Sequence, residues 1–182
     1  MFKYFRILCL VIGAFTLLQN SLVFGKDEDK SQASTNFVLT VAGEVEHPLT
    51  INASDLAMLS RHSVKAKDHD GKIGKFEGVY VVDILKLAGM HFGKDLRGKM
   101  LSKYLTVKAS DGYQVVFALP ELDPYFTDNI VLLADHRNNK PLSETEGPLR
   151  IIIPKEKQHA RWIHQVTSFT IGHVEGYSKP SK

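Results

Sequence analysis

Arg150, Lys155, Lys157, His159 and Arg161 crowd one short segment, EGPLRIIIPKEKQHARW, residues 146–162. Arg150 stands inside an apolar run. Strand alternation puts Leu149, Ile151 and Ile153 on one face and Arg150 with Ile152 on the other. A guanidinium held there needs carboxylate, phosphate or carbonyl partners. Two readings fit. In one, the segment is a cationic patch for a small anionic ligand such as a phosphate. In the other, Arg150 pairs with a structural acid such as Asp135, and the lysines are simply solvated.

A second cluster is KDHD, where Asp68, His69 and Asp70 offer oxygen and imidazole ligands for a metal. Adjacent strand residues point to opposite faces, so Asp68 and Asp70 can converge while His69 points away. The alternative is plain Asp-Gly turn chemistry beside a solvated histidine. ADHRNN (134–139) repeats the Asp-His pairing at the end of an apolar strand, either as a functional loop or as a polar turn closed by Asn138-Asn139. The chain contains no GxSxG, GxxxxGK[ST], GxGxxG or HExxH. Trp162, the lone tryptophan, reads as a core anchor.

The elements that must position these residues are mostly strands. Phe37, Leu39 and Val41 alternate, and HPLTI follows as a second strand. Asn52 and Asp55 have capping-box spacing for a short helix, NASDLAML. SVKAKDHDGKIGKF reads as a hairpin around Asp70-Gly71, with both turn residues expected at positive φ. In VYVVDILKLAG, Val81, Ile84, Leu85 and Ala88 share a helix face, and Gly89 supplies a left-handed C-terminal cap. YLTVKASDGYQVVFAL is a second hairpin, turning at Asp111-Gly112. LPELDPYF starts a helical turn at Pro120 and stops at Pro124. NIVLLAD and PLRIIIP are buried strands separated by the NNKPLSETEGP loop, and WIHQVTSFTI closes the domain. The expected class is α+β, mixed and mostly β with short helices.

The 182 residues predict one domain, and 43% hydrophobic content excludes a disordered chain. A formal charge of +3 without a long basic run argues against nucleic-acid binding. Lys3 and Arg6 precede the apolar run ILCLVIGAFTLL (7–18). That run is too short to span a bilayer and fits a signal peptide. Cleavage is expected after Gly25, giving a signal peptide at 1–25, a flexible leader at 26–35, a single domain at 36–176 and a flexible tail at 177–182; the alternative is an uncleaved N-terminal anchor. Periplasmic export follows, with no membrane span after cleavage. Removing Lys3 and Arg6 leaves 21 basic against 20 acidic residues, about +1. The single cysteine, Cys9, leaves with the signal, so the mature chain has no thiol for a disulfide, zinc knuckle or iron–sulfur cluster.

The order and spacing of three pieces carry a resemblance: the Gly-Val…Ile-Leu…Ala-Gly helix (78–89), the Asp-Gly hairpin (111–112), and Gly-Pro-Leu-Arg-x-x-x-Pro with Ala-Arg-Trp (147–162). Over residues 37–172 the chain resembles the sulfite-oxidase-type molybdopterin-binding domain in its small, stand-alone, exported form. The resemblance implies that fold, and a pterin phosphate cradled by Arg, Lys and His side chains. By motif match Arg150, Lys155 and Arg161 border that pocket, and with His159 they are the expected cofactor-binding residues. Active members supply a cysteine thiolate to molybdenum from the strand before the Gly-Val helix. The matching segment here, Ser63–Phe76, holds Lys67, Asp68, His69 and Asp70 but no cysteine. Metal ligation would fall to Asp68, His69 or Asp70, or to the pterin dithiolene alone, and neither carboxylate nor imidazole is equivalent to a soft thiolate. Two functions are therefore expected. One is a module with redox activity lost or altered that binds a small anionic ligand or a periplasmic protein partner. The other is an active molybdopterin-dependent oxidoreductase passing electrons to a separate partner.

Overall fold

A computed structural model describes residues 37–176. The expected signal peptide, leader and tail lie outside the described residues. The chain forms β1 (Val38–Gly43), β2 (Leu49–Asn52), α1 (Ala53–Ala57), β3 (His62–Lys67), β4 (Ile73–Tyr80), α2 (Val81–Leu87), β5 (Lys103–Ala109), β6 (Gln114–Ala118), α3 (Leu119–Leu122), β7 (Leu132–Arg137), β8 (Lys140–Pro141), β9 (Arg150–Ile152) and β10 (Val166–His173). The α+β, mostly β class expected from the sequence is the one observed. Among the described residues, no helix is long and apolar enough to cross a membrane.

The strands make two sheets, in the orders β2-β1-β10-β5-β6 and β3-β4-β7-β8, with β9 also paired to β7. β10 lies parallel to β1 and antiparallel to β5. One contiguous apolar cluster draws on both sheets: Leu39, Leu105 and Phe169 from the first, Phe76 and Leu132 from the second, with Ile84 and Leu85 of α2. Leu39 and Val41 of β1 are buried while their neighbours are exposed, the period-2 pattern of a strand with one wet face.

Local chemistry explains the short helices. Asn52 accepts hydrogen bonds from the amides of Ser54 and Asp55, and Asp55 accepts from the Asn52 amide, a complete capping box. At the end of α2, Gly89 adopts φ 84. The Gly89 amide then donates to Lys86 and the Met90 amide to Leu85, closing a Schellman motif.

The Asp70-Gly71 turn differs from expectation, and Asp111-Gly112 has the same form. Only Gly71 (φ 76) and Gly112 (φ 89) are left-handed, not both residues of each pair. The Gly71 amide bonds the Asp68 carbonyl and the Asp68 amide bonds the Lys72 carbonyl, each at 2.9 Å. Ala109, Gly112 and Tyr113 repeat the pattern. Each is a three-residue loop: a type I turn, then a left-handed glycine. This places Asp68 at the base of its hairpin rather than at the tip. The two-residue turn with both φ positive occurs instead at Asn138 (φ 54) and Asn139 (φ 62), joining β7 to β8.

Between β4 and β7 the register slips. Glu77 faces His136 and Gly78 faces Ala134, so Asp135 is an extra residue bulged out of β7. Gly78 permits this close approach, because a Cβ there would lie 2.0 Å from the Leu133 carbonyl oxygen.

Candidate functional site

Arg150 is the largest fully buried side chain, at 0% exposure. Its Nη1 and Nη2 each donate to one carboxylate oxygen of Asp68 at 2.8 Å, a bidentate pair. Nη1 also donates to Glu146 Oε1 at 2.6 Å. The partner is thus Asp68, not Asp135. Asp135 instead takes a bidentate pair from Arg61 and contacts His136 Nδ1 at 2.7 Å. Its position on the bulge of β7 turns it toward β3 and away from Arg150.

A second guanidinium seals the network. Arg137 Nη1 lies 3.2 Å from Asp68 Oδ2 and 3.3 Å from Glu146 Oε1, and its Nη2 lies 3.4 Å from Asp70 Oδ2. Both guanidiniums approach the Phe76 ring, at 5.3 and 5.6 Å from its centroid. Asp68 and Asp70 therefore converge, but on a cation from the protein itself. Burial pushes the Asp68 carboxyl up, yet the hydrogen bonds from Arg150 and the His69 amide, with the charges of Arg150 and Arg137, outweigh it and hold the group well below the usual carboxylate range.

Above this pair opens a cleft of about 730 Å³ lined by Lys67, Asp68, His69, Gly71, Lys157, Gln158, His159 and Ala160. The β3–β4 hairpin supplies one wall. The irregular segment after β9, ending in a 3-10 turn at His159–Arg161, supplies the other. The lysine ion pairs among the described residues are those of Lys75, Lys86 and Lys103, so Lys67 and Lys157 face the cleft without a carboxylate partner. With Asp68 neutralised by Arg150, the cleft carries net positive charge.

The residues singled out from the sequence thus divide. Asp68, His69 and His159 meet at the cleft, and Arg150 lies beneath it. Lys155 is exposed and outside the lining. Arg161 turns the other way, bonding Glu156 (Nε to Oε1, 2.7 Å) and Glu121 (2.9 Å), with its guanidinium 4.6 Å from the Phe117 ring centroid. Burial lowers its pKa, but the hydrogen bonds it donates to Glu121 and Glu156 raise it by more, so it stays charged within its own acid pair. The expected four-residue cationic patch is therefore split across two faces. Asp70 sits on the outside of the hairpin, where its carboxylate accepts from the Lys72 amide. Trp162 is buried, as a core anchor should be, with its ring edge-on to Phe76.

Sequence reasoning did not single out His164, Glu146 or Arg137. His164 flanks Gln165, a non-glycine residue at φ 49. Gln165 is held there by Ser110 Oγ (2.6 Å) and by its own Nε2 donating to the Glu144 carbonyl (3.0 Å). Burial, and then the Arg150 charge, push the His164 imidazole below its ordinary value.

The donor set bears on which cofactor the cleft suits. No cysteine occurs among the described residues, since the chain's only one is Cys9. The hairpin on which the resemblance expects a thiolate presents instead a carboxylate bonded to Arg150. Arg150 Nε and Trp162 Nε1, both without a partner, are sealed from the cleft by burial. These residues do not fit a protein-ligated molybdenum centre. They fit an anion held by ammonium and imidazole groups.

No curated protein gives a significant match. Among solved structures, the sulfane dehydrogenase SoxCD of Paracoccus pantotrophus aligns with TM-score 0.61 and 20% identity, over 79% of this chain and 40% of that chain. This likeness establishes the fold, and the chain spans less than half of that larger protein. The family model for the oxidoreductase molybdopterin binding domain matches residues 27–176. The chain belongs to the oxidoreductase molybdopterin binding domain family.

Proposed function

We propose that this member of the family is a binding module rather than a redox enzyme. It acts after export to the periplasm and holds a small oxyanion-bearing ligand in the cleft between Lys67 and Lys157. One observation carries the reading: Asp68, on the hairpin where the family's thiolate belongs, is locked to Arg150, while the lysines on the cleft walls keep their charge for a ligand. His69 and His159 add imidazole donors for oxyanion oxygens. The ligand class is a phosphate, a sulfur oxyanion or a phosphorylated pterin lacking metal.

The family match and the fold shared with a sulfane dehydrogenase favour a second reading, a molybdopterin-dependent oxidoreductase that hands electrons to a separate protein. In that case the pterin would have to hold the metal without a protein thiolate.

One preparation tests both. The full chain is produced with its own leader in molybdate-replete bacteria, and the exported protein is assayed for molybdenum and for oxidised pterin. Thermal shift with phosphate, sulfate and thiosulfate follows. The expected result is no stoichiometric molybdenum and a rise in Tm with at least one anion. A ligand at 100 times its Kd adds about 2.7 kcal/mol, or roughly 5–10 °C for a domain of this size. Stoichiometric molybdenum with pterin would establish the redox reading. Protein free of both, with no response to any anion, would remove the small-ligand reading.

A further inference from the structure

Beside the cleft lies a second, smaller hollow of about 310 Å³. Trp162, Ile163 and Ala109 give it apolar walls, and Thr145, His164 and Asp111 give it polar ones. Neither lysine nor arginine lines it. The two hollows share one residue, Ala160. Across that boundary the ring of His69, in the cleft, and the ring of His164, in the second hollow, stand 6.2 Å apart between centroids. Ala160 is exposed and carries only a methyl group, so it forms a low sill rather than a wall.

The second hollow is built in advance. Tyr113, half-exposed in its lining, donates from its hydroxyl to the Ala160 carbonyl at 3.0 Å. That bond ties the β5–β6 hairpin to the 3-10 turn His159–Arg161. Gln165, also in the lining, is fixed by Ser110 and by the Glu144 carbonyl. A group entering here meets walls already in place and loses little to their reordering.

The two hollows differ in what they can hold. Lys67, Lys157 and the imidazoles of His69 and His159 suit an oxyanion. In the second hollow the Asp111 carboxylate repels another anion, and burial with the Arg150 charge holds His164 toward its neutral form. Its apolar walls and the aromatic side chains of Tyr113 and Trp162 suit a flat ring. Its volume is at the low end for ligand pockets and takes one small ring system.

We infer that the ligand of the cleft is an organic oxyanion: a flat, uncharged ring bearing one phosphate or sulfonate group. The oxyanion lies between Lys67 and Lys157, and the ring crosses Ala160 into the second hollow. This rests on the anion-binding reading of the cleft and selects, among oxyanions, those that carry a ring.

Isothermal titration of the full exported chain with two matched pairs tests it. 2-Naphthyl phosphate is compared with methyl phosphate, and 2-naphthalenesulfonate with methanesulfonate. The head group is the same within each pair, and one member alone carries a ring. The ring-bearing member should bind at least about 5-fold tighter in one pair, through the apolar surface it buries, and that pair identifies the head group. Tyr113→Ala removes an aromatic wall and Ala160→Phe raises the sill. Each should cut the ring preference at least about 3-fold. Lys157→Glu should weaken both members of the pair. Circular dichroism verifies that each variant is folded. If one fails to fold the other decides, and if neither folds the wild-type preference decides.

A preference below that threshold in both pairs, with the ring-free anions bound, overturns the inference and leaves the anion-binding reading standing. So does a preference that survives in folded Tyr113→Ala or Ala160→Phe. Ring-bearing compounds that bind Lys157→Glu as tightly as wild type lie outside the cleft, and this also overturns it. Failure of all four compounds to bind removes the anion-binding reading itself.

Discussion

Asp68 and Arg150, 82 residues apart in sequence, meet end-on in the interior with two hydrogen bonds of 2.8 Å. The pair joins the β3–β4 hairpin to β9 and so fixes the floor on which the cleft rests. Removing Asp68 leaves the buried Arg150 with Glu146 as its remaining carboxylate partner, and breaking a buried pair costs up to about 3–5 kcal/mol. Asp68→Asn should lower Tm by about 6–20 °C. The double variant Asp68→Asn/Arg150→Met should lose clearly less than the sum of the two single losses, because it buries no orphan charge. Chemical denaturation of the four proteins reads the coupling directly, and additive losses would show that the pair is not a unit.

Asp68 also sets the acid limb of stability. Its carboxyl is held below the ordinary value in the fold, so the unfolded chain binds one more proton at this site once pH falls below about 4. The stabilisation is complete above the ordinary carboxylate range and drains as pH drops through it toward the folded value. In that window Asp68 alone contributes a slope of about 1.4 kcal/mol per pH unit. Urea unfolding at pH 2.5–5 in the presence of a chelator should show this slope in the wild type. In Asp68→Asn it should be shallower by about that amount.

The cleft wall and the exposed Lys155 make opposite predictions for ligand binding. Lys157→Glu reverses a charge on the cleft wall and should abolish the anion-induced rise in Tm. Lys155→Glu, two residues away but outside the lining, should keep it. Equal losses from both would mean that the anion responds to general surface charge.

Gly78 should tolerate no side chain. Its added Cβ would meet the Leu133 carbonyl oxygen at 2.0 Å and Ala134 Cα at 2.7 Å, both backbone atoms of the paired strand. Gly78→Ala should therefore destabilise by about 3 kcal/mol. Gly71→Ala meets nothing within 4 Å and pays only for its positive φ, about 1 kcal/mol. Thermal denaturation of the two variants ranks them, and the reverse order would refute the steric argument.

Features written in a few adjacent residues were legible in the sequence. The Asn52–Asp55 box and the Gly89 cap form as their spacing demands, because capping is settled within one turn of chain. The burial of Arg150 was legible from its apolar flanks, but its partner was not. Choosing Asp68 over Asp135 depends on a bulge opposite Gly78 that turns Asp135 toward Arg61. The cationic segment misled for a similar reason. β9 ends at Ile152, and beyond it strand alternation no longer governs direction, so Arg161 rotates to Glu121 and Glu156 while His159 faces the cleft. His164 gave no signal, since its placement rests on the left-handed backbone of Gln165, a residue type that does not announce that conformation. The absent thiol, by contrast, was visible in composition alone.

The order β2-β1-β10-β5-β6 has a consequence for biogenesis. The strand made last is the one that fills the centre of its sheet. Until Val166–His173 leaves the ribosome, the β1–β2 and β5–β6 hairpins have no common neighbour, and each offers an open edge. Truncation before Val166 would therefore remove the keystone of the first sheet rather than trim a margin. A domain so arranged cannot complete its first sheet until the last described strand has been made.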